Sequence, residues 1–197
     1  MTIILASASK ARRAILESAG VSVTVDPAAI DESAVKASLA AERLGAGEMA
    51  VQLADMKAAR ISARHPGLIV LGADQILECD KRAFDKPVDL AEARDQLLQL
   101  RGRRHRLYAS LVALRDGRRL WQHTSQAVLT MRDFSNGFLE QYLGAIGPAA
   151  LESVGAYQLE GRGAQLFARI DGDYFTILGL PLLPLLEFLR LQGELPA

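Results

Sequence analysis

Apolar and polar residues alternate along the chain in two different periods, which predicts strands and helices that follow one another. Short apolar or alternating runs have strand length, and the longer segments between them have helical composition. The predicted strands are 3–6, 21–25, 68–73, 103–115, 120–131, 155–158 and 166–170. The predicted helices are 10–19, 35–44, 48–64, 90–100, 138–143 and one that starts at Pro181. Helices alternating with strands predict an α/β fold with a mixed, twisted sheet.

Turn residues and one apolar run refine this picture. Asp116-Gly117, between the two longest predicted strands, is a strong hairpin signal. The run 68–73 is apolar throughout, which is typical of a strand covered on both faces, and we expect it to end at Asp74. The segment 160–163 is interpreted as a mobile link. Since no linker or repeat divides the chain, residues 1–197 are expected to form one domain.

Composition excludes several classes of protein. Half of the 197 residues are hydrophobic, and 23 Lys and Arg balance 23 Asp and Glu. No global field therefore attracts nucleic acid or acidic membranes, and the basic cluster 101–106 lacks the interleaved aromatic residues of an RNA platform. The single Cys79 excludes an internal disulfide and fits a reducing compartment. The longest apolar run, 177–186, is about half a membrane span, so we expect a cytoplasmic protein.

The N-terminal segment combines a strand, a turn of small residues and a helix. Ser9 can cap a helix that begins at Lys10, and Ser7 adds a hydroxyl. Free N–H groups at the start of a helix attract anions, and Arg12 and Arg13 add donors suited to phosphate oxygens. A nucleotide phosphate is therefore one candidate ligand. The alternative is an ordinary corner with solvated arginines.

Two carboxylates are the strongest candidates for chemistry. Asp74 follows a buried strand, at the edge where open α/β sheets place their ligand sites. It can hold a divalent cation or accept a proton from water, although a turn or capping aspartate is the alternative. Glu32 lies in the polar connection after the second strand, so the two carboxylates can converge. Such hard oxygen ligands suit Mg²⁺ or Mn²⁺.

Two lysines could complete a triphosphate site. Lys57 lies on a helix with apolar neighbours, and Lys86 is followed by a proline that restricts its backbone. The alternatives are a lysine that extends its ammonium group to water and an ordinary exposed turn. With Arg12, Glu32 and Asp74, these lysines have the composition of a triphosphate–metal site, provided that they meet in space.

Gln75 and Glu160 are of a different kind. An amide beside Asp74 and a carboxylate in a glycine-flanked loop can recognise the hydrogen-bonding edge of a base. A solvated loop acid is an equal alternative for Glu160. The chain contains no P-loop, dinucleotide-binding fingerprint, nucleophile elbow or zinc spacing, so those classes have no support.

Eight short blocks, in order from residue 5 to about 182, resemble the Maf family. They are Leu5-Ala6-Ser7-x-Ser9 with Arg12-Arg13, Ile30-Asp31-Glu32, Lys57-Ala58, Gly72-Ala73-Asp74, Lys86-Pro87, Gly102-x-x-His105, Gly155-Ala156-Tyr157 with Gly161, and Gly179-Leu180-Pro181-Leu182. Each block alone is weak, whereas eight in register cover nearly the whole chain.

The resemblance implies a nucleoside triphosphate pyrophosphatase that releases a monophosphate and pyrophosphate with Mg²⁺ or Mn²⁺. It also implies an elongated, two-lobed fold of the Maf/ITPase type with a cleft between the lobes, and a homodimer. By matching position, Asp74 is the base or the metal-organising carboxylate, and Glu32 assists the metal. The phosphate-binding residues implied in the same way are Ser7, Arg12, Arg13, Lys57 and Lys86.

The resemblance also bears on the base. Gln75 and Glu160 match the 7-methyl-GTP branch, whereas the dTTP/UTP branch carries Thr and Gln at these positions. A carboxylate suits the N1–H and amino group of a guanine edge. Ala11 stands where the 7-methyl-GTP branch carries Trp, so position 11 also bears on specificity.

Three alternatives remain open at this point. One is a dTTP/UTP pyrophosphatase, and another is a nucleotide-binding regulator of septation without significant turnover. The third is a nucleic-acid binder that uses the basic cluster, which the zero net charge disfavours. A nucleoside triphosphate is the expected partner, and neither nucleic acid nor a membrane is.

Overall fold

The structure, a computed structural model, describes residues 2–196, and at Ala40 only the backbone. In that range the strands are β1 (Ile3–Leu5), β2 (Val23–Val25), β3 (Val70–Cys79), β4 (Arg82–Phe84), β5 (Arg104–Arg115), β6 (Arg118–Met131) and β7 (Phe167–Asp171). The α-helices are α1 (Lys10–Ser18), α2 (Glu32–Ala41), α3 (Ala46–Ser62), α4 (Leu90–Leu100), α5 (Asn136–Ile146), α6 (Tyr174–Ile177) and α7 (Leu182–Leu191). Short 3₁₀ helices span Gly147–Glu152, Val154–Ala156 and Arg162–Leu166.

The strands form a mixed sheet in the order β2-β1-β3-β5-β6-β7, with β4 paired to β3. Strand β1 runs parallel to β2 and to β3, whereas β4 is antiparallel to β3 and β7 to β6. The predicted α/β fold with a mixed sheet is therefore confirmed. Within the described range the chain forms two compact units, one from 2–75, 108–125 and 174–196, the other from 76–107 and 126–173. No helix described between residues 2 and 196 combines the length and the apolar character needed to cross a membrane.

In the first unit the sheet is covered on both faces. Successive strand residues point to opposite faces. Ile3 and Leu5 accordingly pack in the core cluster that contains α1 and α7, and Ile4 packs in the cluster that contains α3. Val70 and Leu71, with no exposed surface, divide between the same two clusters. This confirms the prediction that the apolar run in the middle of the chain forms a strand buried on both sides.

The second unit contains a buried polar pair. His105 on β5 lies with Nε2 2.9 Å from the hydroxyl oxygen of Tyr157, and the ring of Tyr157 packs edge-on against Phe167. Burial lowers the pKa of His105 to about 4. The imidazole is therefore neutral at physiological pH, and its Nδ1 is buried without a hydrogen-bond partner among the described residues.

Two boundary predictions that bear on the site were wrong. Strand β3 continues through Asp74 and Gln75 to Cys79, because Ile76 and Leu77 extend the buried run and the strand turns back into β4. Glu32 lies in the first turn of α2 and not in a polar loop. The carboxylate of Asp31 accepts a hydrogen bond from the amide of Ala34 at 3.0 Å, which starts the helix earlier than its apolar pattern indicates.

The predicted strand at 155–158 was also wrong. Gly155 and Ala156 have φ values of +76° and +58°, which no β-strand accommodates, and Val154–Ala156 forms a 3₁₀ turn. Residues 162 and 163 of the segment interpreted as a mobile link lie in the 3₁₀ helix Arg162–Leu166. The hairpin signal at Asp116-Gly117 is confirmed, with φ of +52° and +74° at the two turn residues.

Candidate active site

The N-terminal corner of the first unit has the geometry that the sequence predicts. The hydroxyl of Ser9 accepts a hydrogen bond from the amide of Arg12 at 3.3 Å and caps α1. The amide of Ser9 lies 3.4 Å from the hydroxyl oxygen of Ser7. The two neighbouring arginines diverge, since Arg13 is exposed and pairs with Glu17 at 2.7 Å, whereas Arg12 is buried.

Arg12 connects three segments of the first unit. Its Nε donates to the carbonyl oxygen of Gly179 at 2.8 Å. Its Nη1 donates to the hydroxyl oxygen of Ser7 at 2.9 Å and to the carbonyl oxygen of Ala73 at 3.0 Å. Burial lowers the pKa of the guanidinium, and the charges of Asp74 and Glu32 oppose that shift. These bonds engage Nε and Nη1, so Nη2 is the nitrogen that remains to contact an anion.

Lys57 brings the two predicted carboxylates together. From α3, its ammonium nitrogen lies 2.6 Å from Oδ1 of Asp74 on β3 and 2.8 Å from Oε1 of Glu32 on α2. The side chains of Lys57 and Asp74 are 8% and 5% exposed, and that of Glu32 is 45% exposed. Three residues from three separate elements, each singled out from sequence, therefore meet at one point.

The surroundings push the pKa values of the two carboxyl groups in opposite directions. Burial raises the pKa of Asp74, which Lys57 and Arg12 offset only in part. Burial also acts to raise the pKa of Glu32, but Lys57, Lys36 and Arg12 together lower it below its ordinary value. A pair of carboxyl groups with divergent pKa values can divide the work of proton acceptor and permanent anion.

The same carboxylates fit a hard divalent cation. Oδ2 of Asp74 is buried without a hydrogen-bond partner among the described residues, and Glu32 presents a half-exposed carboxylate beside it. Residues 2–196 contain no group of three or more His, Cys, Asp or Glu placed to hold a metal. Two protein carboxylates with the remaining ligands from phosphate and water are the usual arrangement for Mg²⁺ in phosphoryl chemistry.

The side-chain amide nitrogen of Gln75 donates hydrogen bonds to main-chain carbonyls. Nε2 donates to the carbonyl oxygens of Thr176 at 3.1 Å and Ile177 at 3.0 Å, which fixes α6 against β3. Both amide hydrogens are thereby engaged, and the side-chain oxygen Oε1 is the atom left to accept a hydrogen bond from a ligand.

Sequence reasoning missed one position at this site. Gly179 has φ of +87°, and a Cβ there would lie 3.3 Å from Nη2 of Arg12 and 3.4 Å from Oε1 of Gln75. Its carbonyl also receives the Arg12 bond. The sequence shows Gly179-Leu180-Pro181 only as a motif, because a single sequence does not show which side chains a main-chain carbonyl contacts.

Three further candidates are Ala11, Lys86 and Glu160. Ala11 is partly exposed on α1 of the first unit, one residue before Arg12. Lys86 and Glu160 are exposed residues of the second unit, in the connection from β4 to α4 and in the turn before the last 3₁₀ helix. Their assignment to phosphate and base stays a prediction.

Known proteins resemble this chain over almost its full length. A family model described as Maf-like protein matches residues 2–192. A protein of Paramagnetospirillum magneticum named nucleoside triphosphate pyrophosphatase is 59% identical over 98% of this chain and 99% of its own length. One with the same name from Granulibacter bethesdensis is 55% identical over 96% of both chains. A Mesorhizobium japonicum protein named 7-methyl-GTP pyrophosphatase is 49% identical over 98% of this chain and 97% of its own.

Proposed function

The chain belongs to the Maf family, and from this premise we propose that it is a nucleoside triphosphate pyrophosphatase, a hydrolase of acid anhydrides. It cleaves the α–β phosphoanhydride and releases a nucleoside monophosphate and pyrophosphate. The observation that carries this proposal is the contact of Lys57 with both Asp74 and Glu32 beside the buried Arg12. A buried acid–cation set of this kind suits proton transfer next to a highly charged substrate.

The two oxygens of Asp74 take different parts in the proposed reaction. Lys57 holds Oδ1, so Oδ2 is the oxygen that accepts the proton from the attacking water. The raised pKa of Asp74 makes it a stronger base than an exposed aspartate. Glu32, whose pKa is lowered, remains ionised and holds the ammonium group of Lys57 at 2.8 Å.

Positive charge in the first unit stabilises the anionic leaving group. Lys57 and Arg12 contribute fixed charges, and we assign Ser7, before α1, and Arg13, in its first turn, as further donors. We assign Lys86 of the second unit to the same phosphates. Mg²⁺ or Mn²⁺ held by Glu32, with phosphate and water oxygens as its other ligands, would neutralise the phosphate oxygens and activate the anhydride as an electrophile.

For the base we propose a methylated guanine, with 7-methyl-GTP as substrate. The name of the Mesorhizobium japonicum relative supports this, as does the acceptor chemistry of Oε1 of Gln75 and the carboxylate of Glu160 toward guanine N–H groups. Ala11, one residue before Arg12 on α1, does not supply a stacking surface. A dTTP/UTP preference is the alternative. We further propose a cytoplasmic homodimer.

A panel of triphosphates tests both levels of this proposal. The purified protein is incubated with 7-methyl-GTP, GTP, dTTP, UTP and CTP in Mg²⁺ or Mn²⁺, and pyrophosphate is resolved from phosphate. We expect pyrophosphate, fastest from 7-methyl-GTP. Asp74→Asn should abolish release, and Asp133→Asn, an identical change at a carboxylate that is 90% exposed, should not. Faster release from dTTP or UTP rejects the base assignment, and binding without pyrophosphate favours the regulator.

A further inference from the structure

Helix α3 packs on the sheet through small residues. Alanines recur at every fourth position of the helix and are at most 5% exposed: Ala46, Ala50, Ala54 and Ala58. Residues four apart share one face of a helix. Ala54 and Ala58 pack in the same cluster as Val70 of β3. A face of alanines lets the helix backbone approach the sheet closely.

Gly72 of β3 faces this row of alanines without room for a side chain. A Cβ built on Gly72 would overlap the carbonyl oxygen of Ala54. It would also lie 2.9 Å from the Ala54 carbonyl carbon and 2.9 Å from Cβ of Ala58, closer than the 3.0 Å that real Cβ atoms keep. The main obstacle is helix backbone and not the tip of a flexible side chain. Any side chain at position 72 therefore requires α3 to move away from β3.

Gly72 and Ala54 lie next to the contact between Lys57 and Asp74 along β3 and α3. Asp74 lies two residues after Gly72 and so on the same face of β3. Lys57 lies three residues after Ala54, one turn further along α3. Its ammonium nitrogen lies 2.6 Å from Oδ1 of Asp74. If α3 lay further from β3, this short charge-assisted hydrogen bond would lengthen.

We propose that Gly72 is a positioning residue for the hydrolysis, because its missing side chain sets how closely α3 docks on β3 and so holds Lys57 against Asp74. This inference rests on the proposed function. An outward shift of about 1 Å would lengthen the contact beyond hydrogen-bonding range. Misplacements of that size cost about 10²-fold in rate.

Two variants displace the helix from opposite sides of the contact. Gly72→Ala adds a methyl group on the strand. Ala58→Val enlarges the helix side chain whose Cβ lies 2.9 Å from the position of that methyl group. The matched controls are Gly144→Ala, where a Cβ meets nothing within 4 Å, and Ala59→Val on the exposed side of α3. We expect kcat to fall about 10²-fold in both test variants with KM changed less than about threefold, and neither constant to change in the controls.

A double-mutant cycle separates positioning from general damage. Each variant is combined with Lys57→Met, which removes the group that Gly72 is proposed to hold in place. If Gly72 acts through Lys57, the fall in kcat disappears in the Lys57→Met background. A merely structural effect lowers kcat by the same factor in both backgrounds, and that result overturns the proposal.

Folding and geometry are measured on the same proteins. Circular dichroism and thermal unfolding report whether each variant folds. If Gly72→Ala does not fold, Ala58→Val alone tests the positioning role. A crystal structure of the folded variant should place Nζ of Lys57 more than 3.5 Å from Oδ1 of Asp74, and an unchanged contact overturns the proposal. Absence of pyrophosphate release by the unaltered protein would instead reject the proposed function and leave this distance test standing.

Discussion

The ammonium nitrogen of Lys57 lies 2.6 Å from Oδ1 of Asp74, and this one contact fixes the chemistry available to the carboxylate. It occupies Oδ1 and leaves the buried Oδ2 without a hydrogen-bond partner among the described residues. Since an unpaired buried oxygen is costly, the arrangement persists for a reason other than stability. The unpaired Oδ2 is the observation on which we base its proposed role in proton acceptance or metal binding.

Asp74→Asn should separate activity from stability. The amide keeps the shape of the carboxyl group but is not a base, so kcat should fall about 10³-fold. Burial raises the pKa of Asp74 in the folded protein, so the native state loses stability as pH rises through that pKa. At neutral pH the charged form is therefore unfavourable, and the variant should unfold at the same or a higher denaturant concentration. Pyrophosphate release and urea unfolding at pH 7 measure the two effects, and a clearly less stable variant would contradict the second.

Local sequence patterns were sufficient to predict the features of the fold and the site that depend on interactions between residues close in sequence. The cap at Ser9 and the hairpin at Asp116-Gly117 follow from side chains and turns that act within a few residues. The buried run of β3 follows from apolar residues alone. Each of these depends on short-range physics that a sequence displays directly.

The errors arose where distant partners override local preference. The sequence predicts that the strand ends before Asp74, because a charge ordinarily ends an apolar run, yet Lys57 pairs with Asp74 and β3 continues. Arg12 and Arg13 are indistinguishable in sequence, but only Arg12 meets the carbonyl of Gly179, which is 167 residues away. Every residue has a main-chain carbonyl, so the sequence does not show which carbonyl accepts a hydrogen bond.

Arg12→Lys should destabilise the protein although it keeps the charge. One ammonium group cannot reach the oxygens of Ser7, Ala73 and Gly179 together, as the guanidinium does. We expect a loss of about 2 kcal/mol in the free energy of unfolding, the scale of hydrogen bonds to a charged group.

The neighbouring arginine provides a matched control for this change. Arg13→Lys removes an exposed arginine whose partner Glu17 is also exposed, so the unfolding free energy should change by less than about 0.5 kcal/mol. Both variants are compared by chemical denaturation at pH 7. Equal effects would mean that Arg12 does not connect the three segments as described.

Gln75→Met should affect substrate binding more than turnover. Methionine has similar length but lacks the amide hydrogens that Gln75 donates to the carbonyls of Thr176 and Ile177 at the end of α6. We expect KM for the best triphosphate to rise about tenfold, the effect of roughly one lost hydrogen bond, while kcat changes less than about threefold. Gln52→Met, the same substitution on the exposed side of α3, is the control and should leave both constants unchanged. A fall in kcat at constant KM would place Gln75 in the chemical step instead.

The buried His105 should make the protein sensitive to acid. Its pKa is about 4 in the folded protein against 6.5 in the unfolded chain, because burial disfavours the charged ring. The unfolded state therefore binds the proton first as pH falls, so the stabilisation is complete above pH 6.5 and is lost between about pH 6.5 and pH 4. His105→Gln retains a donor for Tyr157 and removes the titration. Between pH 7 and pH 4.5 the unaltered protein should lose about 2 kcal/mol more unfolding free energy than the variant. Urea unfolding at these two pH values gives the comparison, and parallel losses in both proteins would show that His105 does not control the acid response.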